Sequence, residues 1–217
     1  MDSNMDTLYY VDAVTARSKR LSDLLLASTG LLITLPLFPL IALAIKLDSR
    51  GPVFFKQLRI GKAMPDRVAM FEMIKFRTMV TDAERDSGAA WAIKNDPRIT
   101  AVGLFLRKTR LDELPQFINV LTGEMSIIGP RPERPGFYQQ LESNIPFFAE
   151  RTYGVAPGIT GLAQVSQGYD TSIDDVRSKV GFDHGYGLAL GSFVSWIKMD
   201  TTIALRTIVV MIMGRGQ

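Results

Sequence analysis

The sequence has no cysteine and only one histidine, His184. Without cysteine the chain has no disulfides, thiolate nucleophiles or cysteine-ligated zinc sites. A single histidine cannot build a multi-histidine metal site, and Ser-His-Asp hydrolysis would depend entirely on it. The Walker A pattern and the G-x-G-x-x-G fingerprint are also missing. The chemistry left to this chain uses carboxylates, hydroxyls, lysine and arginine.

The positive charges are concentrated around one apolar segment, although 25 Lys and Arg are nearly balanced by 22 Asp and Glu. The basic residues on its two flanks are Arg17, Lys19, Arg20, Lys46, Arg50, Lys56, Arg59 and Lys62. Local clusters of this kind influence binding partners more than the small net charge does. The chain shows no nucleic-acid recognition module, so we expect no nucleic-acid partner.

The apolar segment, residues 24–45, carries no charge. As a helix it would be about 33 Å long at about 1.5 Å per residue, and a bilayer core is about 30 Å thick. Pro36 and Pro39 lie near its middle, where an interior proline removes a helix hydrogen bond and costs about 3 kcal/mol. The segment is therefore apolar enough for a membrane but is predicted to be broken.

Three interpretations fit this length: a straight membrane span, a buried core helix and a re-entrant helix. Basic residues prefer the cytoplasmic side of a membrane, and here they occupy both flanks. A hairpin that enters and leaves the membrane by the same face places both flanks on that side. We therefore favour a re-entrant membrane helix in contact with membrane lipid, broken at Pro36 and Pro39.

The chain as a whole predicts an α+β fold in three parts. Residues 1–16 are a flexible tail, residues 17–50 the re-entrant helix hairpin, and residues 51–217 a small, mostly helical cytoplasmic domain. Strand-like runs at 53–61 and 68–79 predict a short β-hairpin. The C-terminal stretch is apolar with interspersed charges, which is typical of an interfacial amphipathic helix or of one packed beside the first segment.

Two adjacent carboxylates, Asp112 and Glu113, lie at the start of a predicted helix that meets another short amphipathic helix near Leu111. Pro115 is still inside the first turn, where proline is tolerated. Because helix N-termini favour acidic side chains, helix capping alone explains many such pairs. A chemical role is the other interpretation, and the pair by itself does not decide between them.

Several cations accompany the carboxylates in segments rich in glycine and proline. Each one alone is typical of a solvated surface charge. Together they indicate an anionic substrate of the phosphate type, held with a divalent ion. The candidate phosphate-binding residues are Lys75, Arg77, Arg98 and Arg131, with Arg107, Arg110 and Arg134 close to them in the sequence.

The sequence resembles the bacterial sugar transferases, the monotopic phosphoglycosyl transferases, from about residue 19 to residue 207. The ordered motifs that carry the resemblance are "KRLSDLLLA", "GPVFFKQLRIG", "KFRTM", "NDPRITAVGLFLRKTRLDELPQFINVLTGEMSIIGPRPE" and "PGITGLAQV", followed by Asp183, Tyr186 and Asp200. The resemblance implies transfer of a sugar-1-phosphate from a UDP-sugar to undecaprenyl phosphate, with release of UMP. It further implies a monotopic enzyme of the bacterial inner membrane whose catalytic domain faces the cytoplasm, and it is compatible with a homodimer.

The resemblance also implies roles for individual residues. Asp112 would be the nucleophile that forms a covalent phosphosugar-aspartate. Glu113 would help bind Mg²⁺ or activate the lipid phosphate, so that both carboxylates are candidate metal ligands. Lys75, Arg77 and Arg131 match positions near phosphate groups, and Pro36 matches the proline that breaks the membrane helix.

The sequence departs from the family pattern at three positions. Leu35 stands where a small polar residue, typically serine, precedes the proline, and we expect Thr34 to supply the substitute hydrogen bond to the freed carbonyl. Ile74 and Gly185 stand where aromatic residues are common. These departures leave the acidic pair intact. The alternatives for function are a non-catalytic, membrane-anchored lipid-binding module and a metal-dependent nucleotide-sugar hydrolase.

Overall fold

The computed structural model of the protein describes residues 11–83, 96–167 and 172–213. It has the predicted α+β composition. The helices are α1 (Ala13–Thr34), α2 (Leu37–Asp48), α3 (Ala101–Thr109), α4 (Gln116–Thr122), α5 (Pro135–Asn144), α6 (Leu162–Ser166), α7 (Ile173–Ala189) and α8 (Phe193–Ile212). The strands are β1 (Phe54–Ala63), β2 (Val68–Phe76), β3 (Ser126–Ile128) and β4 (Gly158–Thr160), and 3₁₀ turns cover Leu111–Glu113 and Ala149–Thr152.

The first helix starts earlier than its predicted boundary at residue 17. Asp12 caps α1, because its carboxylate accepts a hydrogen bond from the Thr15 backbone N–H at 2.9 Å. A side-chain acceptor at this position satisfies one of the free N–H groups of the first turn. Residues 13–16, which we assigned to the tail, therefore belong to α1, and residues 1–10 lie outside the described part of the chain.

The apolar segment is broken at one of its two prolines. α1 and α2 are bent by 61° at the break, which contains Leu35 and Pro36. Pro36 has no N–H to continue the helix ladder. Pro39 is the third residue of α2, where the backbone N–H would have no partner within the helix in any case. Pro39 therefore lies inside a helix, and our assignment of the break to both prolines is corrected to Pro36.

The hydroxyl of Thr34 does form a hydrogen bond to the helix backbone, but not the predicted one. Its Oγ1 donates to the Gly30 carbonyl at 2.7 Å. The carbonyl freed by Pro36 is that of Leu32, four residues before the proline. The Thr34 hydroxyl thus binds the preceding turn of α1, a contact that tends to bend helices. It does not replace the hydrogen bond lost at Pro36.

Among the described residues, no single helix is long and apolar enough for a membrane span, whereas α1 and α2 together reach that length and hydropathy as a bent pair. The pair leaves much apolar surface uncovered by the protein. Its most exposed large side chains include Leu32, Ile33, Leu40 and Leu47, which are exposed by 65–80%. An apolar surface of this extent is typical of an interaction site.

The predicted β-hairpin is present, and it packs against both α1 and α4. β1 and β2 are antiparallel, with Phe55 opposite Lys75 and Arg59 opposite Phe71. Phe71 and Met73 lie in a core cluster with Ala27, Val120 and Met125. Since side chains alternate along a strand, Lys75 projects from the same face of β2 as Phe71 and Met73.

A second core cluster joins the C-terminal helices to a parallel strand pair that the sequence did not indicate. β3 and β4 pair in parallel, with Ile128 opposite Thr160. Ile128 packs with residues of α7 and α8, including Tyr186, Trp196 and Ile203. α8 is therefore packed on the domain along one side, while its apolar residues on the other side, such as Val194, remain exposed.

Buried polar contacts fasten α1 to α8. The Lys19 ammonium lies 3.2 Å from the carboxylate of Asp200, which also accepts hydrogen bonds from the Tyr186 hydroxyl at 2.9 Å and the Trp196 indole N–H at 2.6 Å. Asp23, one turn after Lys19, accepts hydrogen bonds from the Ser126 hydroxyl and the Ile127 backbone N–H, both at 2.9 Å. The bent helix pair is thus an integral part of the domain core.

We predict that Asp200→Asn is strongly destabilising, because it removes the nearer of the two carboxylates paired with the buried Lys19, Asp200 at 3.2 Å and Asp23 at 3.9 Å. Breaking a buried pair by removing one partner costs about 3 kcal/mol or more. Asp174→Asn is the matched control, since the Asp174–Arg177 pair is exposed and such pairs contribute about 0–1 kcal/mol. Denaturant unfolding in detergent micelles measures both variants, and equal losses would contradict a structural role for the Asp200 cluster.

Candidate active site

The two carboxylates lie in a tight turn between α3 and α4. Arg110 ends α3 in the left-handed conformation, with φ 59°, and the next residues form the 3₁₀ turn Leu111–Glu113. A left-handed conformation is uncommon for a residue other than glycine and is found preferentially at functional sites. Asp112 and Glu113 therefore precede α4 by a short turn, whereas we predicted them at the start of the helix itself.

Neither carboxylate caps the helix that follows. Pro115 is the N-cap residue of α4, and α4 has no side-chain capping hydrogen bond among the described residues. Asp112 and Glu113 are only 6% and 8% exposed. Two adjacent buried carboxylates are energetically costly unless cations or hydrogen-bond donors compensate for their charge. The capping interpretation is therefore excluded for this pair, and the surrounding cations become important.

Glu113 is held ionised by the cations around it. The Lys75 ammonium lies 2.7 Å from its Oε1, and Arg110 Nη1 lies 3.7 Å from the same oxygen. Burial raises the pKa of Glu113, but the positive charges of Lys75, Arg131 and Arg110 outweigh burial and lower this pKa to about 2. Glu113 is therefore a fixed negative charge at neutral pH.

Asp112 lies in a different environment from its neighbour. Burial raises the pKa of its carboxyl group, and although Lys75 acts in the opposite direction, the adjacent Glu113 charge raises this pKa further. Its Oδ1 is buried and has no hydrogen-bond partner among the described residues. A buried polar atom without a partner is rare in native structures and calls for an explanation. An oxygen reserved for a substrate or a metal ion is such an explanation.

Two of the four predicted phosphate-binding cations are brought to the carboxylates. Lys75 contacts Glu113 directly, and Arg131 is close enough to lower the pKa of Glu113. Arg107 and Arg110 also act electrostatically on Asp112, and the sequence placed both of them beside the pair. The site thus combines two carboxylates with a surrounding group of cations.

Arg77 and Arg98 have other partners. The buried Arg77 guanidinium donates to the Arg50 carbonyl at 2.6 Å and the Ser49 carbonyl at 2.7 Å, so it satisfies carbonyls that follow α2. Arg98 pairs with Asp96, with its Nε 2.9 Å from Oδ1 and its Nη2 2.6 Å from Oδ2. Arg77 therefore supports the end of α2 in this structure, and the bidentate partner of Arg98 is Asp96. Phosphate binding by these two residues stays a prediction.

A cavity beside Arg131 contains residues that the sequence did not identify as a site. Its polar lining consists of Arg131, Glu133, Arg151, Gln164, Lys179 and Asp183. Arg151 and Asp183 form a buried ion pair at 2.8 Å, and burial nevertheless raises the pKa of Asp183. Gln164 Oε1 is buried and without a hydrogen-bond partner among the described residues. Gln164 lies in the motif "PGITGLAQV". This motif contributed to the family resemblance, but we assigned no role to its residues.

The residues present fit a magnesium site that is completed by substrate. Within the described ranges, no group of three or more His, Cys, Asp or Glu side chains converges. Mg²⁺ is often held by one or two carboxylates, with the remaining ligands coming from substrate phosphates and water. Glu113 supplies an ionised carboxylate, and Asp112 supplies an oxygen without a partner.

We predict that Arg77→Lys lowers the free energy of unfolding by about 1–3 kcal/mol, because a lysine cannot replace the guanidinium fork that serves several carbonyls. Arg67→Lys is the matched control, since Arg67 forms an exposed pair with Asp66. Chemical denaturation monitored by circular dichroism compares the variants. Unchanged stability of the Arg77 variant together with weakened binding of a nucleotide diphosphate would contradict the structural role and support phosphate binding by Arg77.

Buried carboxylates among cations are typical of a site that binds and transfers phosphate groups. A family model described as "Bacterial sugar transferase" matches residues 14–214. The chain therefore belongs to the bacterial sugar transferase family.

Three relatives are similar to this chain over most of its length. The chain is 43% identical over 198 residues to a UDP-N-acetylgalactosamine-undecaprenyl-phosphate N-acetylgalactosaminephosphotransferase of Aeromonas hydrophila, which covers 91% of this chain and 44% of that protein. It is 44% identical over 171 residues to a UDP-glucose:undecaprenyl-phosphate glucose-1-phosphate transferase of Escherichia coli, covering 77% and 35%. It is 40% identical over 199 residues to exopolysaccharide production protein PSS of Rhizobium leguminosarum bv. phaseoli, covering 88% and 93%. The chain thus spans less than half the length of the first two relatives and nearly all of the third.

Proposed function

We propose that the protein transfers a sugar-1-phosphate from a UDP-sugar to undecaprenyl phosphate through a covalent phosphosugar-aspartate, and so starts the assembly of a polysaccharide or glycoconjugate. The observation that carries this proposal is the Oδ1 atom of Asp112, which is buried without a partner amid cations. The printed names of the relatives support the donor and acceptor classes.

In the first step, a carboxylate oxygen of Asp112 attacks the β-phosphorus of the donor. The bond from that phosphorus to the bridging oxygen breaks, and UMP leaves with the electron pair. In the second step, a phosphate oxygen of undecaprenyl phosphate attacks the same phosphorus, and the bond to Asp112 breaks. Splitting one displacement into two is the usual advantage of a nucleophilic carboxylate.

The surrounding charges would supply the electrostatic stabilisation that the transfer needs. Phosphoryl transfer depends on positioning and on neutralisation of negative charge. Lys75 and Arg131, which act on Glu113, would attract the diphosphate of the donor, and a buried site would strengthen these interactions. Asp112 and Glu113 would hold Mg²⁺, which when bound neutralises phosphate charge.

The bent helix pair suits the lipid acceptor. We propose that α1 and α2 form a re-entrant hairpin in the cytoplasmic leaflet of the bacterial inner membrane, with the exposed leucines of the pair facing lipid. Undecaprenyl phosphate keeps its tail in the bilayer and its phosphate at headgroup level, the level at which a monotopic enzyme would present its site. Each basic residue near anionic lipid would contribute about 1 kcal/mol to membrane binding.

We predict that Asp112→Asn abolishes both UMP release and covalent labelling, because an amide is neither a comparable nucleophile nor a comparable leaving group. The test incubates protein with a UDP-sugar and no acceptor, quenches it, and measures the mass of the peptide that contains residue 112. Asp66→Asn is the control for loss of an exposed carboxylate. A wild-type peptide that never carries sugar-phosphate mass would refute the covalent step, and release of free sugar phosphate without lipid would favour a hydrolase.

We predict that both ends of the helix pair face the cytoplasm. The chain has no cysteine, so single cysteines at Met5 and at the exposed Asp66 can be labelled with an impermeant maleimide in spheroplasts and in inverted vesicles. A re-entrant hairpin gives labelling of both positions in inverted vesicles only. Labelling of the two positions from opposite sides would show that the segment spans the membrane.

A further inference from the structure

Asn119 is a buried side chain whose hydrogen bonds link α4 to the edge of β2. It is 1% exposed. Its Oδ1 accepts a hydrogen bond from the Ile74 backbone N–H at 3.0 Å, and its Nδ2 donates to the Glu72 carbonyl at 2.8 Å. Because a backbone N–H only donates and a carbonyl only accepts, these partners fix the orientation of the amide. Asn119 thus pairs with β2 as a peptide group of a third strand would.

The hydrogen-bonded residues of β2 directly precede Lys75. Lys75 is the residue whose ammonium lies 2.7 Å from Glu113 Oε1. Glu113 precedes α4, the helix that carries Asn119. β2 and the carboxylate turn are therefore joined twice: once by the Lys75–Glu113 ion pair and once by the Asn119 amide. The Asn119 amide is thus a second link between the strand that carries Lys75 and the helix that follows the carboxylate turn.

The remaining hydrogen bond of Asn119 fixes its rotamer. Nδ2 also donates to Glu124 Oε2 at 2.8 Å, and the same oxygen accepts a hydrogen bond from the Thr122 hydroxyl at 2.9 Å. The amide is therefore held on both sides, by β2 and by the end of α4. A side chain locked by packing and by several hydrogen bonds can position another group within a fraction of an ångström.

We propose that Asn119 is a positioning residue for the transfer reaction: its amide holds β2 so that the Lys75 ammonium stays on Glu113 and beside Asp112. This inference rests on the proposed function for its kinetic consequence, but the placement of Lys75 is independent of it. A misplacement of about 1 Å at a reacting centre can cost about 100-fold in rate, so one buried amide can matter for turnover without touching substrate.

The kinetic test is a double-mutant cycle of Asn119→Ala with Lys75→Met. We expect Asn119→Ala to lower kcat about tenfold or more while KM for the UDP-sugar changes less than about twofold, because the amide does not contact the donor. In the Lys75→Met background the same change should lower kcat less than about threefold, since residues that act through each other are not additive. Additive effects would overturn the proposal.

Thr122→Val is the matched structural control. Its hydroxyl contacts the Asn119 carbonyl and Glu124 at the same end of α4 but forms none of the β2 hydrogen bonds. We expect it to lower the unfolding temperature while leaving kcat within about twofold of wild type. If Thr122→Val lowers kcat as much as Asn119→Ala does, Asn119 serves only the stability of α4 and the proposal fails.

A second readout does not depend on turnover. Lys75 is largely buried in its ion pair. Acetylation by a trace amount of an amine-reactive acetylating reagent, quantified by mass spectrometry, therefore reports release of the Lys75 ammonium from Glu113. Asn119→Ala should raise acetylation of Lys75 several-fold, and Thr122→Val should not. A wild-type protein that releases no UMP would refute the proposed function, while unchanged Lys75 acetylation in the Asn119 variant would refute the positioning role.

A third variant covers the case in which Asn119→Ala does not fold. Asn119→Ser keeps a small neutral polar side chain at this buried position. Its one hydroxyl cannot replace both the amide oxygen that accepts from the Ile74 N–H and the amide N–H that donates to the Glu72 carbonyl. We expect this variant to keep the low kcat and the raised Lys75 acetylation. Wild-type values of both would overturn the proposal.

Discussion

The contact between Lys75 and Glu113 is the interaction on which the site depends. Two adjacent carboxylates at 6% and 8% exposure would each carry a desolvation penalty of several kcal/mol if no cation were near. The ammonium at 2.7 Å from Glu113 offsets that penalty for one of them. Asp112 can then be left without a hydrogen-bond partner on Oδ1, since its neighbour no longer adds an uncompensated charge to the same buried volume.

The rest of the fold keeps this contact in place from several directions. β2 supplies Lys75, and α1 reaches the far end of α4, where Arg20 donates to the Val120 carbonyl at 2.6 Å and the Leu121 carbonyl at 2.9 Å. α1 and the carboxylate turn are therefore attached to opposite ends of one short helix.

Local sequence patterns were sufficient to predict the elements that are determined by neighbouring residues. Strand-like runs located the β1–β2 hairpin, and Pro36 located the break in the apolar segment. The acidic pair and Lys75 were found because unusual residue types are clustered there. The roles of Arg77 and Arg98 were not predictable, since their partners are backbone carbonyls and a carboxylate that the fold brings to them. The β3–β4 pair depends on contacts distant in sequence, which no short pattern encodes.

The surroundings of the two carboxylates, rather than their residue types, shift their pKa values in opposite directions. Glu113, with its pKa lowered to about 2, is a weakly basic anion suited to binding a cation. Asp112, whose pKa is raised chiefly by burial, is the more basic oxygen. Environments that push two neighbouring pKa values apart assign different roles to them. A more basic carboxylate is the better nucleophile, so the proposed function would use Asp112 for attack and Glu113 for cation binding. Under that proposal, the same burial that makes Asp112 costly in the free protein would prepare it to react.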